Sequence, residues 1–269
     1  MIELSVVPPQ AAAVCATFLE QAPPGLVTGL HLRGGIGFGE WVPGQSDVDF
    51  VATLSRRPTG DDLAGLRAAH EKVAAAHPEE HFDGPHVLAP DLALDPRTIP
   101  DVPCVMHQRF EDESPVHDSV VAWHELAARH GITVAGPPIA DLAIWTSDEA
   151  LTRFTRDNLD TYWRRNAEAL EAMPHEGEPE EACCYCVLGV ARLHHLLVTG
   201  ETTTKSAAGH WGLTYYPERF HRVLREALQV REGIPEGGGS EYLDDRAARG
   251  RDTADFTAYV VEQGTSRGT

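Results

Sequence analysis

The sequence predicts two folding units, an α/β half followed by a helical half. In the first part of the 269-residue chain, strand patterns alternate with helix patterns, which is typical of a sheet covered by helices. From residue 147 onward the apolar periods are helical, and strand patterns are few. Gly136-Pro137-Pro138 interrupts the chain just before this change. We therefore expect a first domain over residues 1–146 and a second over residues 147–269.

Local signals order the elements of the first half. Pro9 can open a helix, and Thr59 with Asp62 three residues later resembles a capping box at the start of another. The glycines between residues 34 and 46 predict a loop that joins two strands. The expected order is helix 10–21, strand 27–33, loop 34–46, strand 47–54, a helix from 59, strands near 86–89 and 104–107, helix 115–130 and an extended piece at 132–136.

The second half reads as four helices. Ser147 is the expected cap of the first helix, whose first turn is acidic, as helix N-termini favour. The helices are expected over residues 147–173, 181–199, 210–230 and 243–262.

Charge limits the classes of partner. Forty-one acidic residues stand against 22 Lys plus Arg, which leaves a formal net charge of −19. Nucleic acid and anionic membranes would be repelled by such a surface, so we expect neither as a partner. This negative net charge is compatible with a cationic ligand. It is equally compatible with a surface that is only solvated and that repels other copies of itself.

The cysteines and the N-terminus indicate a reducing compartment. Five cysteines, two of them adjacent, do not resemble a disulfide framework. We see no signal peptide and no apolar run of the roughly 18–20 residues that a membrane span needs, so we expect a cytoplasmic protein. Cys186 and His194 would lie roughly 12 Å apart on one helix, too far to share a zinc ion, so we interpret them as core residues.

The chemistry lies in residues 31–50, where a strand, a Gly-Gly turn and a second strand follow one another. In a strand, Asp47 and Asp49 project to the same side. Two such carboxylates suit a hard cation such as Mg²⁺, which takes further ligands from phosphates. Gly34 and Gly35 would let backbone N–H groups approach phosphate oxygens. A phosphate cradle beside an acidic pair predicts phosphoryl or nucleotidyl transfer.

These residues resemble a known signature. Gly34-Gly35 followed by Ser46-Asp47-Val48-Asp49 is similar to the motif of the nucleotidyltransferase superfamily that includes DNA polymerase β. The rest of the chain resembles the aminoglycoside adenylyltransferases of the streptomycin/spectinomycin type. The similarity extends to residues 127–138, 191–200 and 205–211.

The resemblance implies a two-domain enzyme with a polymerase-β-like α/β domain, built on a mixed sheet, and an antiparallel helical bundle. ATP and Mg²⁺ would bind between the domains, and AMP would pass to a hydroxyl of an aminocyclitol antibiotic with release of pyrophosphate. By position, the metal ligands would be Asp47 and Asp49, and the nucleotide-binding residues Gly34, Gly35, Ser46, Lys205 and Arg231. Two of these depart from the family: Gly35 stands where serine is common, and Arg231 where a tyrosine is expected.

A third acid serves as the general base in such enzymes. Its best match is Asp83, with Glu80 and Asp91 in reserve. A carboxylate beside the metal pair can take the proton of a sugar hydroxyl, which is otherwise a poor nucleophile. A turn aspartate before Gly84-Pro85 is the alternative interpretation.

The acceptor is less defined. Glu178 matches one acid that binds the antibiotic in the resembled family, whereas Ala182 stands where another is expected, and no tryptophan occupies the stacking position. A smaller, spectinomycin-like cation therefore fits better than streptomycin. Two alternatives remain: a nucleotidyltransferase acting on a protein side chain or another metabolite, and a non-catalytic nucleotide-binding module.

Overall fold

A computed structural model describes residues 7–116, 119–233, 239–243 and 245–266. The chain divides into two compact units, Met1–Ser147 and Asp148–Thr269, and each is described by itself.

A mixed six-stranded sheet organises the first unit, as the sequence predicts. Its spatial order is β5-β4-β3-β2-β1-β6. β2 and β3 run parallel, and the other neighbouring pairs among the described strands are antiparallel. The strands are β1 Val27–Leu32, β2 Val48–Leu54, β3 Phe82–Leu88, β4 Val102–Met106, β5 Arg109–Ser114 and β6 Ile132–Ala135.

Two features of this sheet differ from expectation. β3 begins at Phe82, four residues before the predicted start, so Asp83 lies inside a strand and not in a turn. β5, which the sequence did not reveal, forms one edge of the sheet and exposes Glu111, Asp112 and Glu113.

Four helices accompany the sheet: α1 Pro9–Gln21, α2 Gly34–Gly37, α3 Gly60–Ala76 and α4 Ser119–Glu125, which a π-helical turn, Leu126–His130, continues. The capping box at the start of α3 is formed, since the Thr59 side chain accepts the Asp62 N–H and the Asp62 carboxylate accepts the Thr59 N–H. The glycine-rich segment was predicted as loop throughout, but it opens with the single turn of α2.

The two faces of the sheet bury different side chains. Val48 and Phe50 of β2 lie in a core cluster with residues of α1 and α3. Val51 of β2 and Val87 of β3 point the other way, into a second cluster that contains Trp123 of α4. Since alternate residues share a face, Asp49 and Asp83 point toward the α4 side.

A pair of buried histidines sits in the cluster under α1 and α3. Nε2 of His70 and Nε2 of His86 lie 3.1 Å apart in a hydrogen bond, and Nδ1 of His86 donates to the Pro103 carbonyl. Burial lowers the pKa of His86 to about 4 and that of His70 well below its usual value. Four phenylalanine rings surround the pair: Phe18, Phe50, Phe82 and Phe110.

The second unit is helical. Its helices are α5 Asp148–Asn158, a π-helical turn Leu159–Trp163, α6 Arg164–Ala172, α7 Glu180–Thr199, α8 Lys205–Tyr215, α9 His221–Glu232 and α10 Arg246–Thr265. The single helix predicted over 210–230 was wrong. Pro217 disfavours helical geometry at the residue before it, and α8 ends at Tyr215.

Helix α7 is the centre of this unit. Cys183, Cys186, Val190 and His194 on its inner side are buried, as the core interpretation of these residues predicts. By length and composition α7 could cross a membrane, so the expectation that no run is long and apolar enough was wrong. Half of this apolar stretch of α7 is buried inside the unit, as in the core helix of a globular domain.

An ion-pair network joins three of these helices. Nη1 of Arg249 on α10 lies 2.6 Å from the Glu226 carboxylate of α9 and 3.1 Å from that of Glu180 on α7. Arg249 and Glu226 are both buried, and Glu226 also accepts hydrogen bonds from the Ser240 hydroxyl and the Glu241 N–H. A buried carboxylate with so many donors is compensated for the water it has lost.

Candidate functional site

Asp47 directly precedes β2, and Asp49 is the second residue of that strand. The side chain of Asp47 is 55% exposed and that of Asp49 is 29% exposed, whereas Val48 and Phe50 between and after them are buried. This alternation of exposure and burial is the pattern that two carboxylates on one side of an extended chain would give. The hydrophobic neighbours fix the strand, and the acids remain accessible.

Asp83 lies on the neighbouring strand, directly beside Asp49. β2 and β3 pair in parallel with Asp49 opposite Asp83, so their Cα atoms are roughly 4.8 Å apart and their side chains share a face. Gly84 permits this approach, because a Cβ at that position would meet the Phe50 carbonyl oxygen at 2.0 Å. The Gly84-Pro85 pair is thus compatible with a continuous strand.

The reserve acids occupy other positions. Asp91 is buried beyond the far end of β3, where its carboxylate accepts the Leu88 N–H and lies 3.4 Å from Arg57. Glu80 lies before the strand begins. Of the three acids proposed as base, Asp83 is the one paired in register with Asp49.

A partly buried ion pair borders Asp49. Nη2 of Arg33 lies 3.3 Å from Asp49 Oδ1, and Nη1 donates to Glu125 Oε2 at 3.0 Å. The Glu125 carboxylate is only 6% exposed, so Arg33 is held in place by a charged hydrogen bond in a poorly solvated position. Sequence reasoning missed both residues. Arg33 adjoins the Gly-Gly turn, but Glu125 is 92 residues away and gave no local signal.

Gly34 shapes the floor of the site. Its φ of +61° lies in the left-handed region, and a Cβ there would meet Asp49 Oδ2 at 2.2 Å. Only glycine therefore allows the turn to lie against the Asp49 carboxylate. Gly35 has ordinary space around it, since a Cβ would find its nearest neighbour at 3.7 Å.

The loop before β2 is closed by its own polar groups. The Ser46 hydroxyl accepts the Val42 N–H at 3.2 Å, and the Ser46 N–H donates to the Val42 carbonyl. Trp41 is buried and donates from Nε1 to the Asp47 carbonyl at 3.2 Å. These bonds fix the approach to Asp47, while His81 Nδ1 lies 3.5 Å from the Asp47 carboxylate.

The residues present fit a hard divalent ion in part. Within the described part of the chain, no group of three or more His, Cys, Asp or Glu side chains could hold a metal ion. Asp47 and Asp49 supply oxygen donors, and Mg²⁺ is commonly bound by one or two carboxylates together with substrate phosphates. The Asp49 carboxylate lies against the backbone of Gly34, and Arg33 is a competing cation at the same carboxylate.

In the helical unit, the charges of Lys205 and Arg231 both act on Cys184 of α7. Burial raises the pKa of the Cys184 thiol, and the positive charges of Lys205 and Arg231 oppose that shift. Lys205 is the first residue of α8, and Arg231 lies in the last turn of α9. Two of the predicted nucleotide-binding cations therefore influence the same residue near the start of α7.

Two tyrosines accompany this basic pair. The hydroxyls of Tyr162 and Tyr185 share a hydrogen bond of 2.6 Å, and Nζ of Lys205 lies 5.5 Å from the centre of the Tyr185 ring. Burial and the bond from Tyr162 raise the pKa of Tyr185. Sequence reasoning did not identify either tyrosine, because their proximity depends on the packing of α7 against the turn before α6. Trp163 packs on Tyr185 and is buried.

Glu178, the predicted acceptor-binding residue, precedes α7. It is half-buried, and a Cβ at Gly250 of α10 would meet its Cγ at 3.0 Å. Glu181 is exposed one turn further along, and its charge acts on Cys184. Ala182 supplies no charge.

Two comparisons with known proteins gave matches, one to part of the chain and one to most of it. Residues 160–257 match the family model described as aminoglycoside adenylyltransferase, C-terminal domain. The chain is similar in structure to spectinomycin adenyltransferase AAD(9) from Enterococcus faecialis, whose crystal structure was solved with ATP and spectinomycin. That match has a TM-score of 0.63 and 13% sequence identity, and it covers 92% of this chain and 98% of the other. At this identity the likeness shows a shared fold. No curated protein matches the sequence.

Proposed function

We propose that the chain is a nucleotidyltransferase of the aminoglycoside adenylyltransferase type, and that it moves AMP from ATP onto a hydroxyl of a cationic aminocyclitol. The family-model match over residues 160–257 and the fold shared with an adenyltransferase support this proposal. The observation that carries the proposal is the pairing of Asp49 on β2 with Asp83 on β3. Asp47 lies two residues before Asp49 in the chain. Two carboxylates on one face of adjacent strands, with a third just before the first strand, match the needs of a hydroxyl attack on a phosphate.

Asp47 and Asp49 are the proposed holders of Mg²⁺. When bound, the ion neutralises phosphate charge and orients the triphosphate, which is most of what this chemistry requires. Gly34 and Gly35 open α2, where the first N–H groups have no acceptor within the helix and suit phosphate oxygens. The proposed contact of Ser46 with phosphate adds to its existing bond to Val42.

Asp83 is the proposed general base. It takes the proton of the acceptor hydroxyl as the oxygen attacks the α-phosphorus, and the bond from that phosphorus to pyrophosphate breaks. A carboxylate in this position provides typically 10²–10⁴-fold of the rate.

Lys205 and Arg231 are proposed to bind phosphate oxygens. Support comes from Lys205, whose Nζ lies 5.5 Å from the centre of the Tyr185 ring on α7, and from Arg231, whose positive charge acts on the neighbouring Cys184. An arginine can give two parallel hydrogen bonds to a phosphate, which the tyrosine expected from the family could not.

For the acceptor we propose a spectinomycin-like aminocyclitol over streptomycin. Glu178 offers one acid, and Ala182 none, so the guanidinium groups of streptomycin would lack a partner. The similar structure from Enterococcus faecialis contains spectinomycin. The cytoplasm is the proposed compartment, since all five cysteines are free thiols.

Pyrophosphate release from ATP and Mg²⁺, measured over a panel of aminocyclitols, tests the function. We expect turnover with spectinomycin and loss of at least about 100-fold in Asp47→Asn and in Asp49→Asn. Asp101→Asn removes an exposed acid elsewhere and should keep full activity.

Other outcomes point to the alternatives. Turnover with streptomycin but not spectinomycin would overturn the acceptor assignment. Binding of ATP without turnover on any acceptor would favour a nucleotide-binding module, and labelling of a protein by α-³²P-ATP would favour a side-chain acceptor.

A further inference from the structure

The turn between β4 and β5 has a backbone conformation that is unfavourable for its residues. β4 ends at Met106 and β5 begins at Arg109, so His107 and Gln108 alone form the connection. Their φ angles are +51° and +60°, a left-handed conformation that side-chain-bearing residues rarely adopt. Two-residue turns of this kind strongly favour Asn-Gly, and glutamine is a poor choice. Something outside the turn must therefore hold it.

The Asp83 carboxylate is that partner. Its Oδ2 accepts the His107 N–H at 2.6 Å, and its Oδ1 accepts the Gln108 N–H at 3.1 Å. Successive N–H groups in such a turn point the same way and form a concave site for an anion. The contact follows from the register of the sheet: Gly84 pairs with Val105, so the turn begins just beyond Asp83.

Two donors fix a carboxylate more firmly than one. With each oxygen bound to a different N–H, rotation about the bond from Cβ to the carboxyl carbon would break both hydrogen bonds. Each oxygen has two lone-pair positions and gives one of them to the turn, so each retains one for another partner. The group is thereby oriented without losing its capacity to accept a proton.

We propose that the His107–Gln108 turn is the positioning element of the general base, holding Asp83 in the orientation that removes the acceptor proton. This inference rests on the proposed role of Asp83. His107 and Gln108 act through their backbone N–H groups, and their side chains have no part in it. Strained backbone that supports a reacting group is a common feature of active sites.

Chemical rescue tests the proposal. Asp83→Ala should lower kcat by about 10²–10⁴-fold and leave the two N–H groups facing a space the size of a small carboxylate. Formate at high concentration should bind there and restore kcat at least about tenfold, with the KM for ATP unchanged. The same substitution in a background with two glycines inserted between His107 and Gln108 should show no rescue, because the two donors no longer converge.

The outcomes separate the two claims. Full activity of Asp83→Ala would refute the base and the turn's role with it. Loss of activity with equal formate rescue in the original and lengthened turns would leave Asp83 as the base and refute the positioning role. Where the lengthened turn fails to fold, the amide resonances of His107 and Gln108 in the unaltered turn test the same two hydrogen bonds.

A direct measurement supplements these kinetics. The amide protons of His107 and Gln108, observed after selective ¹⁵N labelling, should be shifted downfield by the carboxylate and should move upfield in Asp83→Asn. Unchanged resonances would show that the hydrogen bonds do not form.

Discussion

Replacing Gly34 by alanine tests how closely the turn is fitted to Asp49. The new Cβ would sit 2.2 Å from Asp49 Oδ2, whereas ordinary contacts of this kind are 3.4 Å or longer. The carboxylate must therefore retreat by about 1 Å, a misplacement that can cost ~100-fold in rate. The same substitution places alanine at a φ of +61°, which costs about 1–2 kcal/mol of stability.

Gly39→Ala is the matched control. Gly39 also has a positive φ, +75°, but no atom lies within 4 Å of its ideal Cβ position. Both variants should lose similar stability, about 2–8 °C in melting temperature at 2–4 °C per kcal/mol. Only Gly34→Ala should lose activity.

Pyrophosphate release at a temperature where both variants are fully folded gives kcat and KM. A parallel titration with Mn²⁺, followed by its electron paramagnetic resonance signal, reports on metal binding without turnover. We expect weaker Mn²⁺ binding and a kcat about 100-fold lower in Gly34→Ala than in Gly39→Ala. Equal kcat and equal Mn²⁺ affinity in the two variants would refute the link between this glycine and the Asp49 carboxylate.

Three further predictions concern stability and nucleotide binding. The pKa of His86 is about 4 in the folded protein and 6.5 in the unfolded chain. Between these two pH values the unfolded chain binds a proton that the folded protein does not. The free energy of unfolding should therefore fall by ~1.4 kcal/mol for each pH unit of acidification. Urea unfolding at pH 7 and at pH 5 measures this loss of stability. If His86→Gln showed the same pH dependence of the free energy of unfolding as the original protein, the prediction would be contradicted. Arg249→Met should lower the free energy of unfolding in urea by about 3 kcal/mol, because it leaves the buried Glu226 carboxylate without its positive partner. Arg225→Met, at a more exposed ion pair, should lower it by under about 1 kcal/mol. Similar losses in the two variants would disprove this difference. Gly35→Ser should fold normally, because there is space for a side chain at this position. Its hydroxyl can bind phosphate, so the KM for ATP should fall about threefold to tenfold. A raised KM for ATP would count against a phosphate site at Gly35.

The sequence was most informative where structure is local. The alternation of Asp47, Val48, Asp49 and Phe50 depends only on strand geometry, and the observed burial follows it. The capping box at Thr59 depends on residues three apart, and it is formed. Both signals act within one turn or a few residues of strand.

Errors arose where tertiary pairing decides the outcome. β5 carries the sequence RFEDES, which has a single buried residue and no apolar alternation, so its strand state comes from pairing with β4. The bonds from Asp83 to the turn span 24 and 25 residues, and that from Arg33 to Glu125 spans 92. The break between α8 and α9 could have been predicted, because Pro217 was visible in the sequence.

The acidic outer strand has a consequence for behaviour at high concentration. An edge strand presents unsatisfied backbone groups, which invite another polypeptide to extend the sheet. Glu111, Asp112 and Glu113 stand in succession on β5, so a second copy arriving at this border would bring like charges together. The same residues that made the strand hard to predict from the sequence thus discourage the growth of the sheet between molecules.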